Sequence, residues 1–551
     1  MQIMTLPSQF VKSLTQALNR RQVARGVALL DGVADDLGAL VPGQPDTAGL
    51  LLLLAQWVDV GYRDHRLLDS LLARFPLASR RKLPLDDYLR LRMVDGFRAL
   101  SVADADRAVE IFDFVLRAER EAPDEYLTTL AHFWKGRALR KKGEYELAFE
   151  EIVRARELAQ KTSGQAMLTA VIQVHEAWLL FQKGMRKEAL RLLTHAESAL
   201  KATDHWLALG NIESARGRIV RRSGQYMKAL DHFDRAIAIY SAGNPNHRNL
   251  GRTLVNAAYV KRLLALRMRK RIDAAASRGS AARAAGKTPR ADEAAAQRAR
   301  YQDLSNQAIG QLREARRIFT LHDYAAGIGS VLVNSGFLHL DRGDIDRAAR
   351  EGVDAYRIGL EKNDHILMAR ARVLQAAAEN AKVDEQLGED VDAALHANHA
   401  RHFSDEALEL ARHTQNRRLL AGACVARGMT AANDFFQEWE LAKRCANEAA
   451  DLMGEGESDH LADDLAVLKS RVMQASGIND TLRGWSEGLL GDKTFQQVTE
   501  EFAEIVIPKV WQREGRKISR VAESLSISPK KVRRILRNAG LLGTLHSDAH
   551  P

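Results

Sequence analysis

KGRALRKKGEYELAFEEIVRARELA (residues 135–159) and ARGRIVRRSGQYMKALDHFDRAIAIY (residues 215–240) decide the fold. In each, a small residue, Gly136 or Gly217, is followed seven residues later by Gly143 or Gly224. Twelve residues after it stands Ala148 or Ala229, and nineteen after it Ala155 or Ala236. Two antiparallel helices joined by a tight turn approach closely only where neither carries bulk, and a turn in the left-handed region favours Gly. Outward from these segments, Gly96, Gly136, Ala177, Gly217 and Ala258 recur at steps of 40, 41, 40 and 41. Ala108, Ala189 and the pair Gly336 and Ala348 keep the twelve-residue offset, Gly184 and Gly343 the turn position, and Ala196 and Ala355 the last one. A period of about forty residues held over five units specifies stacked helical pairs.

These marks resemble the tetratricopeptide repeat in its longer forms, down to Tyr145 and Tyr226 two residues after the turn glycine. The resemblance spans about 90–450, with weaker helical pairs from 10 to 80. It implies an all-α chain built as a right-handed α-solenoid of antiparallel helix pairs, whose first helices line a concave face. The expected organisation is N-terminal helical repeats or a cap over 1–90, the solenoid over 91–475, and a small C-terminal domain over 476–551.

One repeat is split. Its first helix reads 252–270 and its second resumes at 304–319, where Ala308 and Ala315 keep the seven-residue offset. Between them, 271–300 is Ala/Arg-rich with no apolar pattern after Ile272, so a solvent-exposed or flexible insertion is expected. Within it, Ala281 to Thr288 (AARAAGKT) falls short of a phosphate-binding loop, because the leading Gly and a preceding strand are both missing.

ISRVAESLSISPKKVRRILR, residues 518–537, carries a second pattern. Val521, Ala522 and Leu525 line the inner face of a short helix, Ile527 plugs a turn, and Val532, Ile535 and Leu536 recur at helical spacing on a second helix. Ser528 before Pro529 is a good helix start. The second helix then exposes Lys530, Lys531, Arg533, Arg534 and Arg537. From Lys509 to Arg537 there are ten Lys/Arg against Glu514 and Glu523, a surplus of +8 beside a whole-chain net charge of +10. With the segment from about Thr494 to Gln512 ahead of it, the stretch resembles the Fis-type helix-turn-helix of bacterial regulators. That resemblance implies binding to double-stranded DNA through Ser528, Lys530, Lys531, Arg533, Arg534 and Arg537. It also implies a homodimer, for which Phe502, Ile505 and Val506 are the candidate contacts. Pro508 is expected to kink or divide the preceding helix, and Ser526 stands where the family often has Gly.

On the concave face, LVNAAY (254–259) and LVNSGF (332–337) align once the insertion is removed. In peptide-binding members of the repeat family an Asn here holds a peptide backbone, so the resemblance implies that role for Asn256 and Asn334; a side-chain amide both donates and accepts. Arg137, Arg140, Arg218 and Arg221 occupy first-helix positions, and Trp178 and Phe181 supply aromatic surface. Together these suit a peptide or protein ligand of acidic character. The alternative is that the asparagines satisfy neighbouring helices and the arginines are solvated.

Two cysteines, Cys424 and Cys445, argue for a reducing compartment and small core positions. The N-terminus lacks a signal core, and Leu50 to Val58 is too short to span a bilayer, so a cytoplasmic protein without membrane contact is expected. His396, His399 and His402 sit at steps of three with no evident fourth ligand, and read as a polar helix face. No nucleophile elbow, paired catalytic carboxylates or dinucleotide turn is present. A non-enzymatic regulator with no metal and no cofactor is therefore expected, coupling a peptide- or protein-binding solenoid to a DNA-binding module. The alternative is a scaffold that assembles protein partners without reading DNA sequence.

Overall fold

The computed structural model describes residues 8–33, 37, 46–62, 65–102, 104–118, 121, 123–284, 291–385, 390–454, 456–475, 493–538 and 541–542. All regular structure among them is helical. The chain divides into residues 1–466 and residues 467–551.

The first unit is a solenoid of helix pairs. It opens with α1 (Ser8–Asn19), α2 (Val23–Asp31), α3 (Thr47–Val60), α4 (His65–Ala73) and the single turn α5 (Leu77–Arg80). Seven hairpins follow: α6 (Leu85–Ser101) with α7 (Ala105–Ala118), α8 (Glu125–Lys142) with α9 (Tyr145–Lys161), α10 (Ala166–Gln182) with α11 (Arg186–Leu200), α12 (Trp206–Arg222) with α13 (Tyr226–Gly243), α14 (Arg248–Ala284) with α15 (Ala291–Leu321), α16 (Ala325–Asp341) with α17 (Ile345–Glu361), and α18 (His365–Glu385) with α19 (Asp390–Arg412). α20 (Arg417–Ala431) pairs with α21 (Trp439–Leu452), and α22 (His460–Ala475) carries the chain across the division.

The hairpin of α8 and α9 shows how local chemistry builds a repeat. Asp124 caps α8, its carboxylate accepting from the Tyr126 and Leu127 amides at 3.0 Å. Gly143 ends the helix at φ 89°, where a side chain would be strained. On α9, Tyr145, Ala148, Ile152, Ala155 and Ala159 are buried at three- and four-residue spacing. They meet Gly136, where an added Cβ would lie 2.7 Å from Ile152 Cγ1. Gly96 and Gly217 make the same approach to the buried rings of Phe112 and Phe233. In these three hairpins the small residue is therefore the contact point between the paired helices.

Residues 271–300, expected as an exposed insertion, continue the flanking helices over their described part: α14 runs on to Ala284 and α15 begins at Ala291. Ala and Arg are strong helix formers, so a sequence without an apolar stripe extends two packed helices outward. The residues 295–300 are mostly exposed, and residues 285–290, which include half of the phosphate-loop-like stretch, lie outside the described residues. In the second unit, Pro508 does not divide the helix before the basic pair, which is a single α23 (Phe495–Arg513). Ile507, Val510 and Trp511 on either side of it are buried in one core, and that packing carries the helix past the missing amide.

Candidate functional site

Within the solenoid, widely separated turns meet. Gly143 O accepts from the Gln415 amide at 3.3 Å, and Gln415 Oε1 accepts from the Glu146 amide at 2.8 Å. Arg222 O accepts from the Ser458 amide at 2.9 Å. The first two amides of α2 donate to the Asp204 carboxylate at 2.6 and 2.7 Å, giving that helix an N-terminal anion from 180 residues away. These contacts close the coil around a cavity of about 1400 Å³.

The first helices of successive pairs line that cavity, and its wall is rich in cations. Arg137, Arg140 and Lys141 come from α8, Arg218 from α12, and Arg248 and Arg252 from α14. Arg137 is neutralised: Asp59 accepts its two Nη groups at 2.5 and 2.8 Å. The other five have contacts of different kinds. Arg140 lies over the Trp178 ring at 4.9 Å. Arg218 donates to Ser214 O at 3.4 Å. Lys141 donates to Leu100 O and Arg248 to the next carbonyl, Ser101 O, at 2.7 Å. Arg248 and Arg252 both lie over Tyr324, at 5.5 and 5.1 Å, and Arg252 donates to its hydroxyl at 2.8 Å.

Four further carboxylates at the cavity edge have partners of their own. Asp106 and Glu144 hold Lys142, at 2.9 and 2.8 Å. Asp104 and Asp364 accept from the amides of Arg107 and Leu367 at the starts of α7 and α18. The cations consequently repel one another in a confined space. Burial and then Arg252, Arg137 and Arg218 push Arg140 down to about 9. Burial together with four neighbouring arginines pushes the Lys141 ammonium well below the usual lysine range. Burial, assisted by Arg140 and Arg137, also pushes the His175 imidazole well down. Arg252 is raised, chiefly by Tyr324.

The expected groove residues separate into two groups. Asn256, Arg137, Arg140, Arg218 and Trp178 line the cavity. Asn256 donates to Arg252 O at 2.8 Å. Phe181 is 2% exposed, in the core beneath the Arg222 guanidinium, which is 3.8 Å from its ring centre. Asn334 is buried and donates to Ser330 O at 2.7 Å, while Arg221 stacks on Tyr259 at 4.8 Å; neither lines the cavity. Arg137 and Arg140, three residues apart on α8, both line the cavity, whereas at the same spacing on α12 Arg218 does and Arg221 packs on Tyr259 instead. Lys141, Arg248, Arg252 and Tyr324 went unread in the sequence. Stepping back from Asn256 by one helical turn at a time reaches Arg252 and Arg248 and would have found two of them.

Outside the cavity, Glu379 of α18 supplies a carboxylate that the histidine run seemed to lack in sequence. Its Oε2 is 2.6 Å from His396 Nδ1 and 3.7 Å from His399 Nδ1. The same inter-helix pairing joins His132 to Glu151, His232 to Glu213 and His339 to Glu351, at 2.5, 2.9 and 3.0 Å. His396 thus occupies a place that links helices in other hairpins, and Lys382 already neutralises Glu379 at 3.4 Å. Cys424 and Cys445 are both buried, and burial pushes the Cys424 thiol up to about 12.

Half-buried His175 and buried His205 contribute to the acid response of the solenoid. Burial pushes His175 and His205 well below the ordinary 6.5. Below that value the unfolded chain protonates both rings while the folded chain keeps them neutral, so stability falls as pH drops through the window beneath 6.5. His460, pushed down to about 3, and Asp464, pushed up to about 7 and 3.3 Å away, act in opposite senses and offset. The melting temperature is expected to fall between about pH 7 and about pH 5. Calorimetry that shows a flat or rising value would contradict this.

The second unit is built on the core predicted from its spacing. α24 (Ile518–Ser524) and α25 (Pro529–Asn538) pack on α23 through buried Val521, Ala522, Val532, Ile535 and Leu536. Leu525 and Ile527 are half-buried against them. Thr494 and Gln497 form a reciprocal capping box at the start of α23. Ser526 takes φ 53°, the conformation a turn glycine would supply, and Ser528 Oγ accepts from the Lys531 amide at 3.2 Å. Lys530, Arg533, Arg534 and Arg537 are exposed and Lys531 half-buried. Arg534 reaches Glu500 at 3.2 Å, with both side chains more than half exposed. Phe502 is 48% exposed; Ile505 is half-buried, and Val506 packs partly onto the module's own core.

No protein-family model matches the chain, and no curated protein matches it. Solved helical structures do. A Rap protein complexed with competence and sporulation factor is 11% identical, with 73% of this chain and 100% of that one covered and a TM-score of 0.48. The apo quorum sensor NprR from B. thuringiensis is 14% identical over 81% and 98%, with a TM-score of 0.37. Aspartyl phosphate phosphatase F from Bacillus subtilis is 13% identical over 83% and 97%, with a TM-score of 0.39. The likeness concerns the helical solenoid alone. Among the described residues no helix is long and apolar enough to cross a membrane.

Proposed function

We propose that the chain is a DNA-binding regulator whose solenoid takes a peptide or protein ligand and whose C-terminal Fis-type helix pair reads operator DNA. One observation carries the reading: α25 buries Val532, Ile535 and Leu536 and thereby turns Lys530, Arg533, Arg534 and Arg537 outward together. A helix of this kind fits a major groove, with phosphate contacts setting position and base contacts setting specificity. The cavity, with Asn256 and Trp178 beside a cationic wall, supports the ligand-binding half. No catalytic role is proposed.

Selection of genomic fragments bound by the full chain tests the reading. A recurrent two-fold sequence, with half-sites about one helical turn apart, is the expected result. Fragments bound with no sequence in common, in a complex that salt alone disperses, would favour the scaffold reading. The homodimer is tested in the same preparation. Phe502→Glu places a charge on the exposed ring position and is expected to shift the protein from dimer to monomer by light scattering and weaken operator binding. Wild-type protein that stays monomeric on its operator would overturn the dimer.

A further inference from the structure

Five cavity cations form a patch that lacks an anion. Lys141 and Arg248 donate to the consecutive carbonyls of Leu100 and Ser101, and Arg248 and Arg252 stand one turn apart over the same Tyr324 ring. Arg140 is the chain neighbour of Lys141. None of Arg140, Lys141, Arg218, Arg248 and Arg252 has a carboxylate contact among the described residues. Their donors are far from used up, since a guanidinium offers five N–H groups and an ammonium three. Folding concentrates like charges here at a cost in stability. Sites that give up stability in this way mark binding.

We infer that Lys141, Arg248 and Arg252, with Arg140 beside them, form a site for a phosphoryl group. Carboxylates on one side of an extended peptide recur about 7 Å apart, two residues on, which spreads charge along a groove. These cations instead converge on neighbouring points, as suits one compact group of charge about −2 with several acceptor oxygens. Arg supplies directed pairs of donors to such a group, and Lys a point charge. The inference rests on the solenoid interior being the ligand site and leaves open whether the phosphoryl group arrives on a free small molecule or on a peptide.

Inorganic pyrophosphate is the first probe, applied to the full chain by thermal shift and calorimetric titration. Pyrophosphate is expected to raise the melting temperature. Lys141→Met and Arg248→Gln are each expected to weaken its binding by about tenfold to a hundredfold, while Arg533→Ala with Arg534→Ala leaves it unchanged. Lys141→Met alone, without ligand, is expected to melt no lower than wild type, because it removes a repelled charge. If one cavity variant fails to fold, the other carries the test. Pyrophosphate binding that survives both cavity substitutions, or that disappears with Arg533 and Arg534, would overturn the site. So would stabilisation by hexa-aspartate and not by pyrophosphate, a result that leaves the peptide reading of the interior standing. No response to either probe would also overturn it. A phosphoserine hexapeptide that binds more tightly than pyrophosphate assigns the group to a peptide, and the reverse order assigns it to a free small molecule; both outcomes uphold the site.

Discussion

Arg533→Ala combined with Arg534→Ala is expected to abolish sequence-preferring DNA binding while leaving the helical content unchanged. Both side chains are exposed on α25, and neither takes part in the core of Val521, Ala522, Val532, Ile535 and Leu536. The Arg534–Glu500 pair at 3.2 Å is open to solvent on both sides, so its loss contributes little to unfolding. Each lost base contact costs about 1–3 kcal/mol, and each lost phosphate contact lowers the salt slope by about one. Fluorescence anisotropy with the selected operator, measured at several salt concentrations beside circular dichroism, separates the two. Operator binding that persists at wild-type strength would remove α25 from the interface.

The second large effect concerns the repeat. Phe233 is fully buried, and Gly217 sits against its ring, with an added Cβ only 2.6 Å from Phe233 Cε1. Phe233→Ala is expected to destabilise the solenoid by about 3–5 kcal/mol, through lost burial and the cavity left behind. Gly217→Ala is expected to destabilise as well, by about 1–3 kcal/mol, because the ring is held by its own packing and cannot retreat freely. The same change at Gly310 should have the opposite sign. Gly310 lies within α15 with nothing near its added Cβ, so Gly310→Ala is expected to stabilise by about 0.4–1 kcal/mol through the unfolded chain. Denaturant melts of the three variants check all three signs, and a stabilising Gly217→Ala would refute close packing as the reason for the small-residue period.

Much of the hairpin architecture was legible because its contacts are local. Gly136 meets Ile152 and Gly217 meets Phe233, each sixteen residues apart, so one repeat records its own packing and the record recurs every forty residues. The turn glycines Gly143, Gly184, Gly224 and Gly343 all have positive φ, which is a property of the turn itself. The C-terminal core was legible for the same reason, since Val532, Ile535 and Leu536 share a helix face.

Helix extension and cavity geometry obeyed different rules. The Ala/Arg-rich segment has no apolar period, yet its propensity and the helices it continues carry the backbone on to Ala284 and from Ala291. Pro508 broke a local rule and was overridden by the burial of Ile507, Val510 and Trp511. On α14 the four-residue step from Asn256 to Arg252 and Arg248 marks the inward stripe, whereas on α12 Arg221 leaves the wall for the Tyr259 ring, a contact with another helix that residue spacing does not record.

The sequence by itself determined that forty-residue helix pairs stack and that a basic helix pair closes the chain, because the interactions responsible lie within one hairpin or one helix face. Only the tertiary structure decided that Gln415 would reach Gly143 and Glu146, that Asp204 would cap α2, and that Lys141, Arg248 and Arg252 would share one wall. Coil closure sums a small rotation at every repeat interface, and no single repeat contains that sum.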